Sequence, residues 1–398
     1  MPILYKNTLH NISLATLTGA LCFMGSSFTH ALSADEIEIH GFFTAGATIS
    51  DVDKTYLRTT DDDLSFDEDS ALGLQIIVPI DEQITLQAQL LANGSKEAET
   101  NFEIEVDWAF VSYQVSDDLT LRAGRIRFPI LMLGDYAEVG YAYPWIRPPQ
   151  EVYGGIPITA IDGVDLLYTL PVGNFNLTFQ PFVGQRDDQL YIQPLDTEID
   201  TELDNMLGLK VSLSNDYLTL HAAYNTFDTS LDEATPTGFV VSSVPPFFSL
   251  PQDAETTLLA AGANLEWRDL VVMTEYLHAD YEREDEQMKL TNYTAWYTMV
   301  GYRFGKLMPH VTFSDLDSED ITRGQSSETL TVGLRYELSD SSALKLEWSR
   351  VEPQEGTSGL LSADASKAIP TPYGVFDVPL GSDGEDASIF SVAFEVIF

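Results

Sequence analysis

The sequence predicts an all-β protein, a sixteen-stranded antiparallel transmembrane β-barrel with short periplasmic turns and long extracellular loops. Three observations predict this fold. Apolar residues alternate with more polar ones in segment after segment from Ile37 onward, as in strands that face two environments. The connections between these segments alternate between short and long, and the chain ends in an alternating aromatic strand. No segment after residue 34 approaches the roughly 18 consecutive apolar residues of a membrane-spanning helix.

The composition excludes several classes of function. The chain has 398 residues, with 62 Asp plus Glu against 20 Lys plus Arg and a formal charge of −42. So acidic a surface repels nucleic acids, because their binding depends on basic groups that displace counterions from phosphates. The apolar fraction of 44% is sufficient for a large folded structure rather than a disordered acidic tail.

The first 34 residues are predicted to be a secretory signal peptide. They contain Lys6, a mostly apolar stretch from Ile12 to Phe23, and the small-residue ending "HALSA" before an acidic segment. Cleavage is expected near Ser33 or Ala34, which leaves residues 35–398 as a transmembrane barrel domain without cysteine. A retained N-terminal anchor is the alternative.

The strands and their connections are predicted in chain order. The predicted strands are 37–50, 70–80, 84–92, 102–115, 119–127, 163–170, 175–185, 205–213, 217–227, 256–266, 270–281, 290–303, 307–314, 328–338, 343–352 and 387–398. The short connections are 81–83, 116–118, 171–174, 214–216, 267–269, 304–306 and 339–342. The long connections are 51–69, 93–101, 128–162, 186–204, 228–255, 282–289, 315–327 and 353–386. This asymmetry is typical of an up-and-down barrel with both termini on the short-turn side.

Two strands indicate what each barrel face contacts. In the first strand, the small residues Gly41, Ala45 and Ala47 share the apolar face and predict close contact with another copy of the chain. In the fourth strand, the alternation predicts Trp108 and Phe110 on the lipid face. It places Glu103, Glu105 and Asp107 toward water, because acids are costly in lipid.

The last strand and two further segments carry a family resemblance. Apolar residues occupy every second position from Phe390 to the terminal Phe398, as in the C-terminal assembly signal of outer-membrane barrels. The segments "IEIHGFFTAGATIS" and "LRAGRIRFPILMLGDYAEVG" resemble the first strand and the fifth strand with third loop of porin-like channels. The chain after residue 34 therefore resembles a Gram-negative outer-membrane porin of the sixteen-stranded trimeric superfamily. The "PEFGGD" type of loop of the enteric general porins is absent, so the subfamily and the solute stay open.

The resemblance implies a passive-diffusion channel for small hydrophilic solutes, assembled as a homotrimer in the outer membrane. It implies contact with outer-membrane lipid and lipopolysaccharide, and recognition of Phe398 by the barrel assembly machinery. No cofactor is implied. A substrate-selective channel and a non-conducting surface or adhesin barrel are the alternatives. An enzyme is not expected, because the four histidines after residue 34 are accompanied by no nucleophile motif such as G-x-S-x-G.

The long connection 128–162 is the candidate constriction loop. Its five prolines, four tyrosines and Trp145 predict an ordered segment, and a barrel of this size needs something to narrow its lumen. The candidate constriction residues are charged and lie on the fifth strand or the loop: Arg122, Arg125, Arg127, Asp135, Glu138, Arg147 and Glu151. Either these charges produce a transverse field across the channel, or they pair to hold the loop against the wall.

The charge count of the predicted lumen favours cations. Nine predicted inward positions are acidic: Glu38, Glu103, Glu105, Asp107, Asp165, Glu266, Glu337, Glu347 and Glu395. Four are basic: Arg122, Lys210, Arg335 and Lys345. An acidic lining concentrates cations and repels anions, so a modest cation preference is expected. The acidic loops lack the spacing of a calcium-binding loop, and no metal site is predicted.

Overall fold

The computed structural model describes most of the chain after residue 36. The described residues are 37–53, 56, 60–94, 102–154, 156, 158–192, 197–231, 253–282, 292–318, 326–354, 357, 359–361, 365–371, 374–380 and 385–398. The predicted signal peptide lies outside them. Among these residues, no helix is both long enough and apolar enough to cross a membrane.

Sixteen of the described strands form one closed antiparallel barrel, which confirms the predicted fold class. Each barrel strand pairs with its chain neighbour, and β18 pairs with both β15 and β1 to close the barrel. The barrel strands are β1 Glu38–Ser50, β2 Ala71–Pro79, β3 Ile84–Asn93, β4 Glu105–Ser116, β5 Leu119–Arg127, β6 Ala160–Val172, β7 Phe175–Ile192, β8 Thr197–Ser214, β9 Leu218–Leu231, β10 Asp253–Trp267, β11 Leu270–Glu282, β12 Tyr293–Tyr302, β13 Leu307–Ser318, β14 Ser327–Ser339, β15 Ser342–Pro353 and β18 Ala387–Ile397.

Two predicted long loops contain strands. Most of the segment 186–204 extends the β7–β8 hairpin, because β7 continues to Ile192 and β8 begins at Thr197. The acidic composition of this segment concealed its strand pairing. The last long loop contains a separate two-stranded sheet, formed by β16 Ala365–Thr371 and β17 Gly374–Leu380.

A β-bulge in β4 corrects the predicted faces of that strand. The register against β3 shifts by one residue, with Gln89 opposite Trp108 but Leu90 opposite Val106, so that Asp107 is the extra residue. Beyond the bulge, Val111 and Tyr113 are exposed on the outer face, whereas Trp108 is buried. Trp108 and Phe110 therefore point inward, and their predicted position on the lipid face was wrong. The sequence supports either frame, because apolar residues occur on both sets of alternate positions.

The pairing of the first and last strands explains why position 41 of β1 is a glycine. The backbone N–H groups of Gly41 and Phe398 donate to each other's carbonyl oxygen at 2.8 and 2.9 Å. A Cβ atom on Gly41 would lie 2.4 Å from the Phe398 ring. The glycine therefore makes room for the C-terminal ring of its own chain. Ala45 is exposed and Ala47 half-buried on the same outer face.

Candidate functional site

The segment between β5 and β6, residues 128–159 and here called loop 3, packs against the inner face of the barrel. It contains a 3-10 turn at Gly140–Ala142 and a one-turn helix, α1, at Gln150–Tyr153. Trp145 is 1% exposed, meets the Tyr297 ring of β12 edge-on at 5.5 Å, and donates its indole N–H to Thr312 of β13 at 2.7 Å. Other buried apolar side chains of loop 3 include Phe128, Ile130, Leu131, Leu133, Tyr143, Ile146 and Val152.

Cationic side chains of β14 and β15 bind backbone carbonyls of loop 3. The ammonium group of Lys345, on β15, donates to the carbonyl oxygens of Gly140 at 2.8 Å and of Trp145, and to the Glu395 carboxylate at 2.9 Å. All three of its donors are thereby used. Arg335, on β14, donates to the carbonyls of Tyr141 and Tyr143 at 2.7 and 2.9 Å. These bonds pair backbone carbonyl groups of loop 3 with wall donors in a buried position.

Acidic wall residues bind donors of the same loop. Glu275, on β11, accepts the backbone N–H of Met132 at 2.6 Å and the hydroxyl of Tyr153 at 2.5 Å. Glu347, on β15, accepts the N–H of Ile146 at 2.9 Å. Together with Lys210, which donates to the Leu131 carbonyl at 2.7 Å, these residues fix loop 3 from β8 round to β15.

The buried positions of these charges correct the predicted lumen lining. Lys210, Arg335, Lys345 and Glu395 are each at most 8% exposed, and the side chain of Glu347 is 6% exposed. They point inward, as predicted, but they contact loop 3 or one another instead of an open water column. The sequence count of lumen charges therefore overstates the charge available to a passing ion.

The arginines of β5 pair with acids of neighbouring strands. Arg122 forms a bidentate pair with Asp165, and Arg127 pairs with Asp107. Arg125 binds Asp162 through two bonds of 2.9 and 3.0 Å. Gln180 and Gln89 donate to Asp165 and Asp107 at 2.7 and 2.6 Å and complete the first two pairs. The charges of these arginines are therefore largely compensated within the wall.

Arg147 connects loop 3 to the strands at the barrel seam. Its guanidinium group donates to Asp69 at 2.9 Å and to Ser391 of β18 at 2.7 Å, and it lies 5.8 Å from the centre of the Tyr56 ring. Burial alone would lower the pKa of Arg147, but the negative charges around it, with Asp69 the strongest, together outweigh burial and raise the net pKa. This group therefore stays charged and links the loop to the wall.

A cavity of about 260 Å³ lies between loop 3 and the wall formed by β1 to β3. Its charged lining residues are Glu68, Asp69, Arg127, Glu138 and Arg147. Both arginines of this lining have carboxylate partners, Asp107 on β4 for Arg127 and Asp69 just before β2 for Arg147. Within the described part of the chain, Glu138 has no ion-pair partner.

The predicted site residues divide into three groups. Arg127, Glu138 and Arg147 line the cavity, and Asp107 lies directly behind Arg127. Asp135 is exposed on loop 3 and acts electrostatically on Arg122. The remaining predicted residues lie elsewhere: Glu103 is exposed before β4, Glu105 is half-buried within it, Arg125 pairs with Asp162, and Glu151 is buried against β13 and β14.

Several contact residues were missed or misjudged from the sequence. Asp69 lies in the acidic run "TDDDLSFDED", which reads as a solvated loop, and nothing local distinguishes it from its neighbours. Glu275 lies on a strand in which His278 and Asp280 are equally polar. Their roles depend on contacts with loop 3 across the barrel, which no local pattern reveals.

Comparison with known proteins identifies the family. The family model for Gram-negative porins matches residues 15–354, and the chain belongs to this family. It is therefore an outer-membrane channel that crosses the membrane many times, and not an enzyme. Among curated proteins, no match is found.

Solved outer-membrane proteins share the fold. The chain is similar to an anion-selective porin from Comamonas acidovorans, with a TM-score of 0.57, 14% identity, and coverage of 91% of this chain and 99% of that one. OmpT of Vibrio cholerae gives a TM-score of 0.56 at 11% identity, with coverage of 93% and 100%. The channel DcaP of Acinetobacter baumannii gives 0.54 at 11% identity, with coverage of 92% and 99%. At these identities the similarity shows the fold alone.

Proposed function

We propose that this porin conducts small hydrophilic solutes by passive diffusion between loop 3 and the wall of β1 to β3, with a modest preference for cations. The observation that carries the proposal is the charge of the cavity in this position. Its lining includes three acids and two arginines, and each arginine has a carboxylate partner. Glu138 then contributes uncompensated negative charge to the passage, which favours cations.

The contacts of loop 3 support a narrow passage on one side of the lumen. The loop is bound to β8, β11, β13, β14 and β15, and on the side of β1 to β3 its bonds are those of Arg147, so the space beside Arg147 is the remaining path for solute. This extent of closure also favours a second candidate function, a channel selective for a particular small solute. A non-conducting barrel is the third reading, and it predicts no current at all.

The proposal also covers the export of the chain and its assembly in the membrane. Residues 1–34 act as a cleaved signal peptide, and the barrel forms a homotrimer among outer-membrane lipid and lipopolysaccharide. The trimer is supported by the similar OmpT of Vibrio cholerae, one structure of which is described as a trimer form. The exposed outer position of Ala45 is compatible with contact between copies. Phe398, 64% exposed at the seam, is available to the assembly machinery.

The reversal potential of Glu138→Gln in a potassium chloride gradient tests the cation preference. One unit charge about 10 Å from the ion path in water stabilises a cation and destabilises an anion by about 0.4 kcal/mol each, so the cation-to-anion permeability ratio should fall by up to about four-fold. Asp117→Asn, at the exposed turn between β4 and β5, is the matched control and should leave the ratio unchanged.

Three other outcomes would count against the proposal. An unchanged ratio in Glu138→Gln would contradict the role of this residue. Equal shifts in both variants would indicate a general surface-charge effect. Absence of current from folded wild-type barrels would overturn the channel reading itself.

A further inference from the structure

A second, smaller chamber lies behind loop 3, between residues 145–151 and strands β13 to β15. Its volume is about 30 Å³, enough for one or two water-sized ligands. Oxygen-bearing side chains dominate the lining, among them Glu151, Thr312, Ser314, Thr329, Thr331 and Glu347. Carboxylate and hydroxyl oxygens are ligands that hard cations prefer.

Glu151 is a buried carboxylate of loop 3 that takes no part in the contacts described above. Its side chain is 1% exposed, and its Oε1 atom has no hydrogen-bond partner. The hydroxyls of Ser314 and Thr329 lie next to the carboxylate, and burial raises its pKa. An isolated buried carboxylate is costly unless it is protonated or balanced by a positive charge.

No cation of the described chain balances Glu151. Arg147 lines the same chamber, but two of its nitrogens bind Asp69 at 2.9 Å, and one of these also binds Ser391. Its charge is therefore already compensated. Glu347, the other carboxylate of the chamber, accepts the backbone N–H of Ile146 and is stabilised by the positive charges of Arg147 and Lys345. Among the described residues, Glu151 is thus the carboxylate of the chamber that has neutral hydroxyls and no cation beside it.

We propose that this chamber binds a dehydrated monovalent cation of the size of sodium, with the Glu151 carboxylate and neighbouring hydroxyl oxygens as ligands. One positive charge matches the single uncompensated carboxylate, and the volume excludes a large organic cation. The bound ion would join α1 of loop 3 to β13 and β14. It is separate from the ions that pass through the cavity lined by Glu138.

Thermal unfolding of the refolded wild-type barrel in sodium chloride and in choline chloride, at equal ionic strength, tests the site. Sodium should raise the Tm in a saturable manner because it binds the folded state, whereas choline is too large to enter. Glu151→Gln should lose this difference while it keeps a Tm in choline at least equal to that of the wild type. Glu82→Gln, at an exposed turn, should respond as the wild type does.

Two results would overturn the proposal. Equal wild-type Tm values in the two salts would mean that Glu151 is protonated and hydrogen-bonded to water. A sodium response that persists in Glu151→Gln would place the ion elsewhere. If Glu151→Gln does not fold, equal wild-type Tm values in the two salts would still overturn the proposal. The result is independent of conductance, so failure of the channel proposal would be recognised separately.

Discussion

The two sides of the barrel interior use charged residues differently. On the side of β11 to β15, Lys345 and Glu275 are buried and bind the backbone of loop 3. On the side of β1 to β5, Arg127 pairs within the wall and lines an open cavity with Glu138. Inward-facing charge is therefore not equivalent to pore charge. What decides its role is whether loop 3 covers it.

The largest expected effect comes from breaking the anchored side. Lys345→Met removes the donor to Gly140 and Trp145 and leaves Glu395 without its cation in a buried position. Removing one partner of a buried pair typically costs about 3–5 kcal/mol, so the free energy of unfolding should fall by that order. Denaturant unfolding measures it, and single-channel recordings should show added current noise as the loop loosens.

Lys306→Met is the matched control for this prediction. Lys306 is exposed in the turn between β12 and β13, and its bond to the Leu338 carbonyl lies at the surface. Its loss should change stability little. A Lys345→Met channel with unchanged stability and no added current noise would contradict the anchoring role.

Glu275→Gln should lower stability less than Lys345→Met does. Its reversal potential can also be compared with that of Glu138→Gln. The amide is nearly isosteric but cannot replace the charged acceptor for both Met132 and Tyr153. Loss of such bonds costs about 1–3 kcal/mol, and thermal unfolding should detect it. The reversal potential should move less than in Glu138→Gln. The opposite ranking of the two variants would mean that the anchored side also faces the ion path.

The sequence predicted the barrel better than it predicted the site. Strand number and closure follow from alternation and turn spacing, which are local properties of the chain. The faces of Trp108 and Phe110 were wrong because one bulge residue, Asp107, inverts the alternation in a strand that is apolar in both frames. The partners of Arg147 lie 78 and 244 residues away along the chain, so only the fold brings them together.

Two single-cysteine variants test directly on which side of loop 3 solutes pass. The only native cysteine, Cys22, lies in the predicted signal peptide, so the exported barrel offers a clean background. Glu138→Cys should react with a charged, water-soluble thiol reagent and lose current. Ser314→Cys, at a position 2% exposed behind loop 3, should stay unreactive at constant current. If the reagent blocked the current of Ser314→Cys and not that of Glu138→Cys, solutes would pass on the other side of the loop.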